Sequence, residues 1–135
     1  MKIMVVGPGA FGIKHLDGIK QIDGAEVVTL VGHSEEKTRK VANEYGIAHI
    51  ANDLTEALES SEAEAVILCT PTSMHAAQSI QCMRAGKHVE VEIPLADSWA
   101  DAEAVLHIQK ETGRICMVGH TRRFNPSHQW VHNAI

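Results

Sequence analysis

This chain of 135 residues has only 3 cysteines, Cys69, Cys82 and Cys116, with no CxxC pair among them. Their contexts are apolar (VILCT, IQCM, RICMV), which reads as reduced thiols in or near a core and argues against a disulfide frame or a cysteine zinc site. Positive charge is also short: 12 basic against 17 acidic residues leave a net charge of −5, unsuited to bulk nucleic-acid binding. No long apolar run exists. The longest uncharged stretch, 65–83, contains Thr70, Thr72, Ser73, His75, Gln78 and Gln81, too polar for a membrane span, and MKIMVVGPG is not a signal peptide. No charge run dominates, and 44% hydrophobic residues suffice for one core, so disorder is excluded. These absences lead us to expect a soluble, cytoplasmic chain with neither nucleic-acid nor membrane partners.

Histidine is plentiful, with 9 residues, yet metal binding is not expected. His128 and His132 have helical i,i+4 spacing, but Gln129 stands where a zinc protease carries its Glu base. No third ligand is evident nearby, so these read as helix-surface histidines.

Short apolar runs alternate with amphipathic segments along the chain. Strands are expected at Lys2–Val6, Glu26–Val31, His49–Ala51, Ala65–Cys69, His88–Glu92 and Ile115–Val118. Helices are expected after Gly12 to about Lys20, from the Ser34 cap to Tyr45, from Asp53 to Glu59, over Met74–Ala85, and from an Asp97 or Ser98 cap to Gly113. This order gives βαβ units, hence an α/β fold: a Rossmann-type, doubly wound parallel sheet with helices on both faces. Residues 1–118 read as one dinucleotide-binding domain. After Gly119 the composition becomes polar, basic and aromatic, and Asn125-Pro126-Ser127 opens another helix. Residues 119–135 therefore read as the start of a connection into a further substrate and dimerisation domain.

Gly7-Pro8-Gly9-Ala10-Phe11-Gly12 is a G-x-G-x-x-G turn between the first strand and first helix. In that context Gly7 permits the tight turn, Gly9 admits a pyrophosphate against the backbone, and Gly12 lets helix and strand pack closely, with Ala10 and Phe11 at the helix N-terminus. A plain tight turn is the alternative. The second strand ends in Val31-Gly32-His33-Ser34, without the carboxylate that usually reads the NAD ribose. His33 and Ser34 are candidates for a 2′-phosphate, aided by Lys37 or Arg39, so NADP is favoured over NAD. The alternative is that Ser34 only caps its helix while Glu35 or Glu36 reaches the ribose. Two further strand ends carry polar clusters, Cys69-Thr70-Pro71-Thr72 with His75 and Glu90-Val91-Glu92-Ile93-Pro94, and both should face the cofactor crevice, although Thr72 and Ser73 equally suit simple capping.

GPGAFG, CTPTSMH, the E-x-P of Glu92–Pro94 and RRFNPS together resemble the glucose-fructose oxidoreductase/inositol dehydrogenase family. GAFGIKHLDG, VEIPLADSWADAEAV and CMVGHTRRFNPSH look like its branch in bacterial protocatechuate 4,5-cleavage. That branch oxidises the cyclic hemiacetal of a carboxylated muconate semialdehyde to a pyrone dicarboxylate. The resemblance implies an NADP-dependent dehydrogenase whose second half supplies most substrate contacts and a homo-oligomer interface. The family's E-K-P lysine is catalytic; Ile93 stands at its place, so no catalytic residue is assigned. A hemiacetal hydroxyl is more acidic than an ordinary alcohol and needs less help from a base. Arg122 and Arg123 suit a polycarboxylate, and His120 can exchange a proton near neutral pH. The alternatives are a solvated basic turn and a structural histidine. A non-catalytic nucleotide-sensing module, such as a redox or CoA-binding regulator, is the competing reading.

Overall fold

Six apolar runs form one parallel sheet in a computed structural model that describes residues 1–135. The strands are β1 (Lys2–Val6), β2 (Glu26–Val31), β3 (His49–Ala51), β4 (Ala65–Leu68), β5 (His88–Val91) and β6 (Cys116–Val118). They lie side by side in the order β3-β2-β1-β4-β5-β6, every neighbouring pair parallel. The strand order reverses between β1 and β4, which opens a crevice at their carboxyl ends. Five helices connect the strands: α1 (Ala10–Ile19), α2 (Glu35–Tyr45), α3 (Leu54–Ser60), α4 (Thr72–Arg84) and α5 (Trp99–Thr112). A 3-10 turn (Thr121–Phe124) and α6 (Pro126–Ala134) follow β6. The α/β architecture expected from the sequence is the one formed.

Strand alternation sorts side chains onto two faces. One face packs Met4, Val6, Val31, Leu68 and Val91 against Leu54 and Leu58 of α3, Cys82 and Met83 of α4, and Val105 and Ile108 of α5. The other packs Ile3, Val5 and Leu30 against Leu16 and Ile19 of α1 and Val41 and Ala42 of α2. Burying each such large side chain contributes about 1.5–3 kcal/mol, so these two layers are the main stabilising term. The second layer covers only part of its face. Along the row Leu30, Val5, Ile67, Glu90, Met117, the apolar cluster ends at Ile67. A half-buried glutamate follows, then a methionine that is 56% exposed.

Local signals set most boundaries. Ser34, Asp53 and Ser98 accept hydrogen bonds from the N–H groups of Lys37, Glu56 and Asp101, and Gly46 and Gly113 end α2 and α5 in the left-handed region. The structure differs from expectation at α4, which begins at Thr72, two residues before Met74. Pro71 already holds a φ of −59°, and its carbonyl accepts from the Met74 N–H at 2.9 Å. The 3-10 turn was not foreseen, because TRRF is too short to carry a period. All three thiols are free. Burial pushes Cys69 and Cys82 up to about 12 and raises Cys116, so none is a reactive nucleophile. No helix is long and apolar enough to cross a membrane.

Candidate functional site

The glycine turn joins β1 to α1 at the carboxyl edge of the sheet. Gly7 has φ +101°, and a Cβ there would lie 2.5 Å from the Cys69 carbonyl oxygen. At Gly12 a Cβ would lie 2.0 Å from the Gly7 carbonyl oxygen. Both glycines therefore serve the turn and its packing. Gly9 differs: a Cβ on it would meet nothing within 4 Å, and it begins α1 with no side-chain cap. Open space over Gly9, with uncapped N–H groups behind it, fits a pyrophosphate. Ala10 and Phe11 form the exposed first turn of the helix.

The end of β2 packs against this turn through Gly32, where a Cβ would lie 2.6 Å from Pro8 Cδ and 2.4 Å from Thr38 Oγ1. The sequence reading missed this contact; a lone glycine at a strand end was its only signal. His33 and Ser34 are exposed beside it. Ser34 does cap α2, accepting from the Lys37 N–H at 3.5 Å, yet a hydroxyl that accepts one hydrogen bond can still donate another. Arg39 is held 2.8 Å from Glu35, which occupies its guanidinium and places two acids, Glu35 and Glu36, in the first turn of α2.

Thr70 and Pro71 follow β4, and Thr72 opens α4. Neither Thr72 nor Ser73 caps that helix: Pro71 is its N-cap and no side chain bonds the first turn. The Thr70 hydroxyl donates to Gln78 Oε1 at 2.6 Å. His75 is 1% exposed, and its two ring nitrogens lie 2.7 Å from the Pro94 and Thr70 carbonyl oxygens. With both nitrogens engaged, its bearing on the crevice is through those two carbonyls.

Beyond β5 the chain turns through Glu92, Ile93 and Pro94, with a cis Ile93–Pro94 peptide. Glu92 is buried and Ile93 is 45% exposed. Glu92 Oε1 lies 2.7 Å from His15 Nε2 of α1, and Glu90 Oε2 lies 4.0 Å from the same nitrogen. Burial raises the Glu90 carboxyl above its ordinary range; His15 opposes that rise and Glu92 adds to it. Glu90 Oε2 has no hydrogen-bond partner. His15, Glu90 and Glu92 offer ligand atoms within 4.8 Å of one another, but the short His15–Glu92 approach is accounted for as a hydrogen bond. The sequence singles out Glu90 and Glu92 as a polar strand end but not their partner His15. The cluster's signal was two carboxylates at alternate positions of an otherwise apolar strand, HVEVEIP, which required a partner on one face.

Gly119 donates to the Val91 carbonyl at 2.8 Å, so the final segment leaves from the same carboxyl edge. His120, Arg122 and Arg123 are exposed there. The two arginines, with His128, Gln129, His132 and Asn133, line a groove of about 690 Å³ between the 3-10 turn and α6. No residue of the glycine turn lines it, and residues 119–135 contain no acid.

Residues 1–120 match the oxidoreductase family described by its NAD-binding Rossmann fold. The whole chain is 62% identical to 4-carboxy-2-hydroxymuconate-6-semialdehyde dehydrogenase of Sphingobium sp. (strain NBRC 103272 / SYK-6), covering 43% of that protein. Over 95% of the chain it is 36% identical to scyllo-inositol 2-dehydrogenase (NAD(+)) of Bacillus subtilis (strain 168), covering 38% of it. Among solved structures, the WlbA dehydrogenase of Bordetella pertussis in complex with NADH and UDP-GlcNAcA aligns with a TM-score of 0.93 and 29% identity, over 99% of this chain and 39% of that one. The chain thus spans about two fifths of the length of these relatives.

Proposed function

Since the chain belongs to the oxidoreductase family with an NAD-binding Rossmann fold, we propose that it is the NADP-binding half of a dehydrogenase acting on 4-carboxy-2-hydroxymuconate-6-semialdehyde. The reaction would oxidise the cyclic hemiacetal to 2-pyrone-4,6-dicarboxylate in protocatechuate 4,5-cleavage. The observation that carries this reading is 62% identity along the entire chain to the dehydrogenase of that name. The open space over Gly9 supports the cofactor part of it independently.

In this reading residues 1–118 hold the cofactor and 119–135 lead toward the substrate. Gly9 and the N-terminus of α1, with Ala10 and Phe11, take the pyrophosphate, while His33 and Ser34 take the 2′-phosphate. Thr70–Thr72 and the Glu92–Ile93 turn flank the nicotinamide, which when bound accepts the hydride. The hemiacetal hydroxyl would release its proton to solvent as the hydride leaves, and Arg122, Arg123 and His120 would face the substrate carboxylates. Ile93 cannot take that proton, so the acidity of the hemiacetal must carry more of the work than in relatives with a lysine. The place of action is the cytoplasm, and the enzyme works as a homo-oligomer.

Fluorescence titration with NADPH and NADH tests the cofactor assignment. NADPH should bind more tightly, since charge-assisted bonds to the 2′-phosphate are worth about 1.5–3 kcal/mol. Equal affinities, or tighter NADH, reject NADP. The 135 residues alone should form no NADPH from fresh ring-cleavage product, because turnover requires the reacting carbon held close to the nicotinamide. Robust turnover by the chain alone would relocate the substrate site onto it.

A further inference from the structure

The Glu92–Ile93–Pro94 turn lies just beyond the reach of the sheet. The Glu92 N–H donates to the Leu68 carbonyl at 3.0 Å, and no backbone hydrogen bond joins the two segments past that point. Two histidines hold the turn instead. From α4, on one side of the sheet, buried His75 spans the gap between the strand ends, 2.7 Å from the Thr70 carbonyl and 2.7 Å from the Pro94 carbonyl. From α1, on the opposite side, His15 bonds the Glu92 carboxylate at 2.7 Å. Ile93 lies between these two anchors with its side chain 45% exposed.

We propose that His15 and His75 are positioning residues that clamp this turn from the two faces of the sheet and thereby set the place of the nicotinamide. The inference rests on the cofactor reading above. It gives His75 a role other than contact, since its ring is buried and both nitrogens are occupied. It also links the two ends of the cofactor: α1 opens at the glycine turn, and one and a half turns later the same helix fixes Glu92. A shift of the phosphate-binding helix is therefore transmitted to the turn beside the nicotinamide. Removing either histidine frees the turn while leaving the glycine turn and the end of β2 as they are.

The experiment compares NADPH with 2′-phospho-ADP-ribose, the same molecule without nicotinamide, by calorimetric titration of the full chain. NADH and ADP-ribose are run in parallel, so the outcome does not depend on which cofactor is preferred. The wild-type chain should bind the nicotinamide-bearing member of a pair more tightly. His15→Leu and His75→Leu should lose about tenfold in affinity for that member and keep their affinity for the truncated one. His15→Gln and His75→Gln, whose amides retain N–H donors, should recover most of the loss. Leucine at position 75 removes the imidazole N–H from between two part-buried carbonyls; should that variant not fold, His15→Leu and His75→Gln decide. Parallel loss of both ligands, no loss, or wild-type indifference to the nicotinamide overturns the clamp. A wild-type chain that binds none of the four ligands overturns the cofactor reading itself, and the clamp with it.

Discussion

The two sides of the crevice solve the same problem with different materials. On the β1–β2 side the backbone makes the site: Gly7, Gly12 and the strand-end Gly32 remove side chains where the chain must run close to Cys69, Val5 and Pro8, and Gly9 leaves open space. On the β4–β5 side polar side chains make it: His15, Glu90 and Glu92 gather where the apolar cluster stops at Ile67, and His75 sits between two carbonyls on the opposite face. A glycine site arises from one short stretch of chain and is nearly indifferent to pH. A side-chain site draws on segments up to 77 positions apart and carries buried charge. The first constrains substitution by space, the second by hydrogen bonding and ionisation.

Substitutions can separate these two modes. The largest effect is expected at Gly9, where valine should abolish cofactor binding in a fluorescence titration yet leave the melting temperature unchanged. Its Cβ meets only open space in the free chain but would occupy the phosphate position. A Gly9→Val chain that still binds would remove the glycine turn from the site. Gly12→Ala should do the reverse, costing about 3 kcal/mol or more in urea denaturation, because the new Cβ would lie 2.0 Å from a backbone oxygen.

The β5 side should reveal itself through pH. The folded state holds the Glu90 proton more tightly than the unfolded chain, so its favourable contribution is complete below the ordinary value of 4.5. That contribution is lost as pH rises from there through the raised folded value. Glu90→Gln should therefore flatten the decline of stability over that window and raise stability at pH 7. An unchanged pH profile in thermal melts would show that the carboxyl is not burdened by burial. The smallest effect is expected at the exposed pair on α2. Glu35→Gln frees Arg39 and removes a negative charge near His33 and Ser34, which should improve the NADPH-to-NADH affinity ratio by about twofold at low salt. No change in that ratio would place the 2′-phosphate away from α2.

What the residues announced by themselves was whatever local chemistry controls. Apolar runs of strand length, caps such as Ser34, Asp53 and Ser98, and glycine stops at Gly46 and Gly113 define their elements within a few neighbours, so sheet, order of elements and glycine turn were all legible. The glycine spacing, read between a strand and a helix, named a tight turn, because the steric demand arises within six residues. The pairing on the other half of the crevice was not legible, since no local rule says that Glu92, just beyond β5, meets His15 of α1, 77 positions away. His75 read as a cofactor contact from its place after a strand end; only the packing of α4 against β5 turned its ring toward two carbonyls and away from solvent. Local sterics and capping belong to the sequence, whereas partners for buried polar groups are chosen by tertiary packing, which alone decides which distant segments share a low-dielectric space.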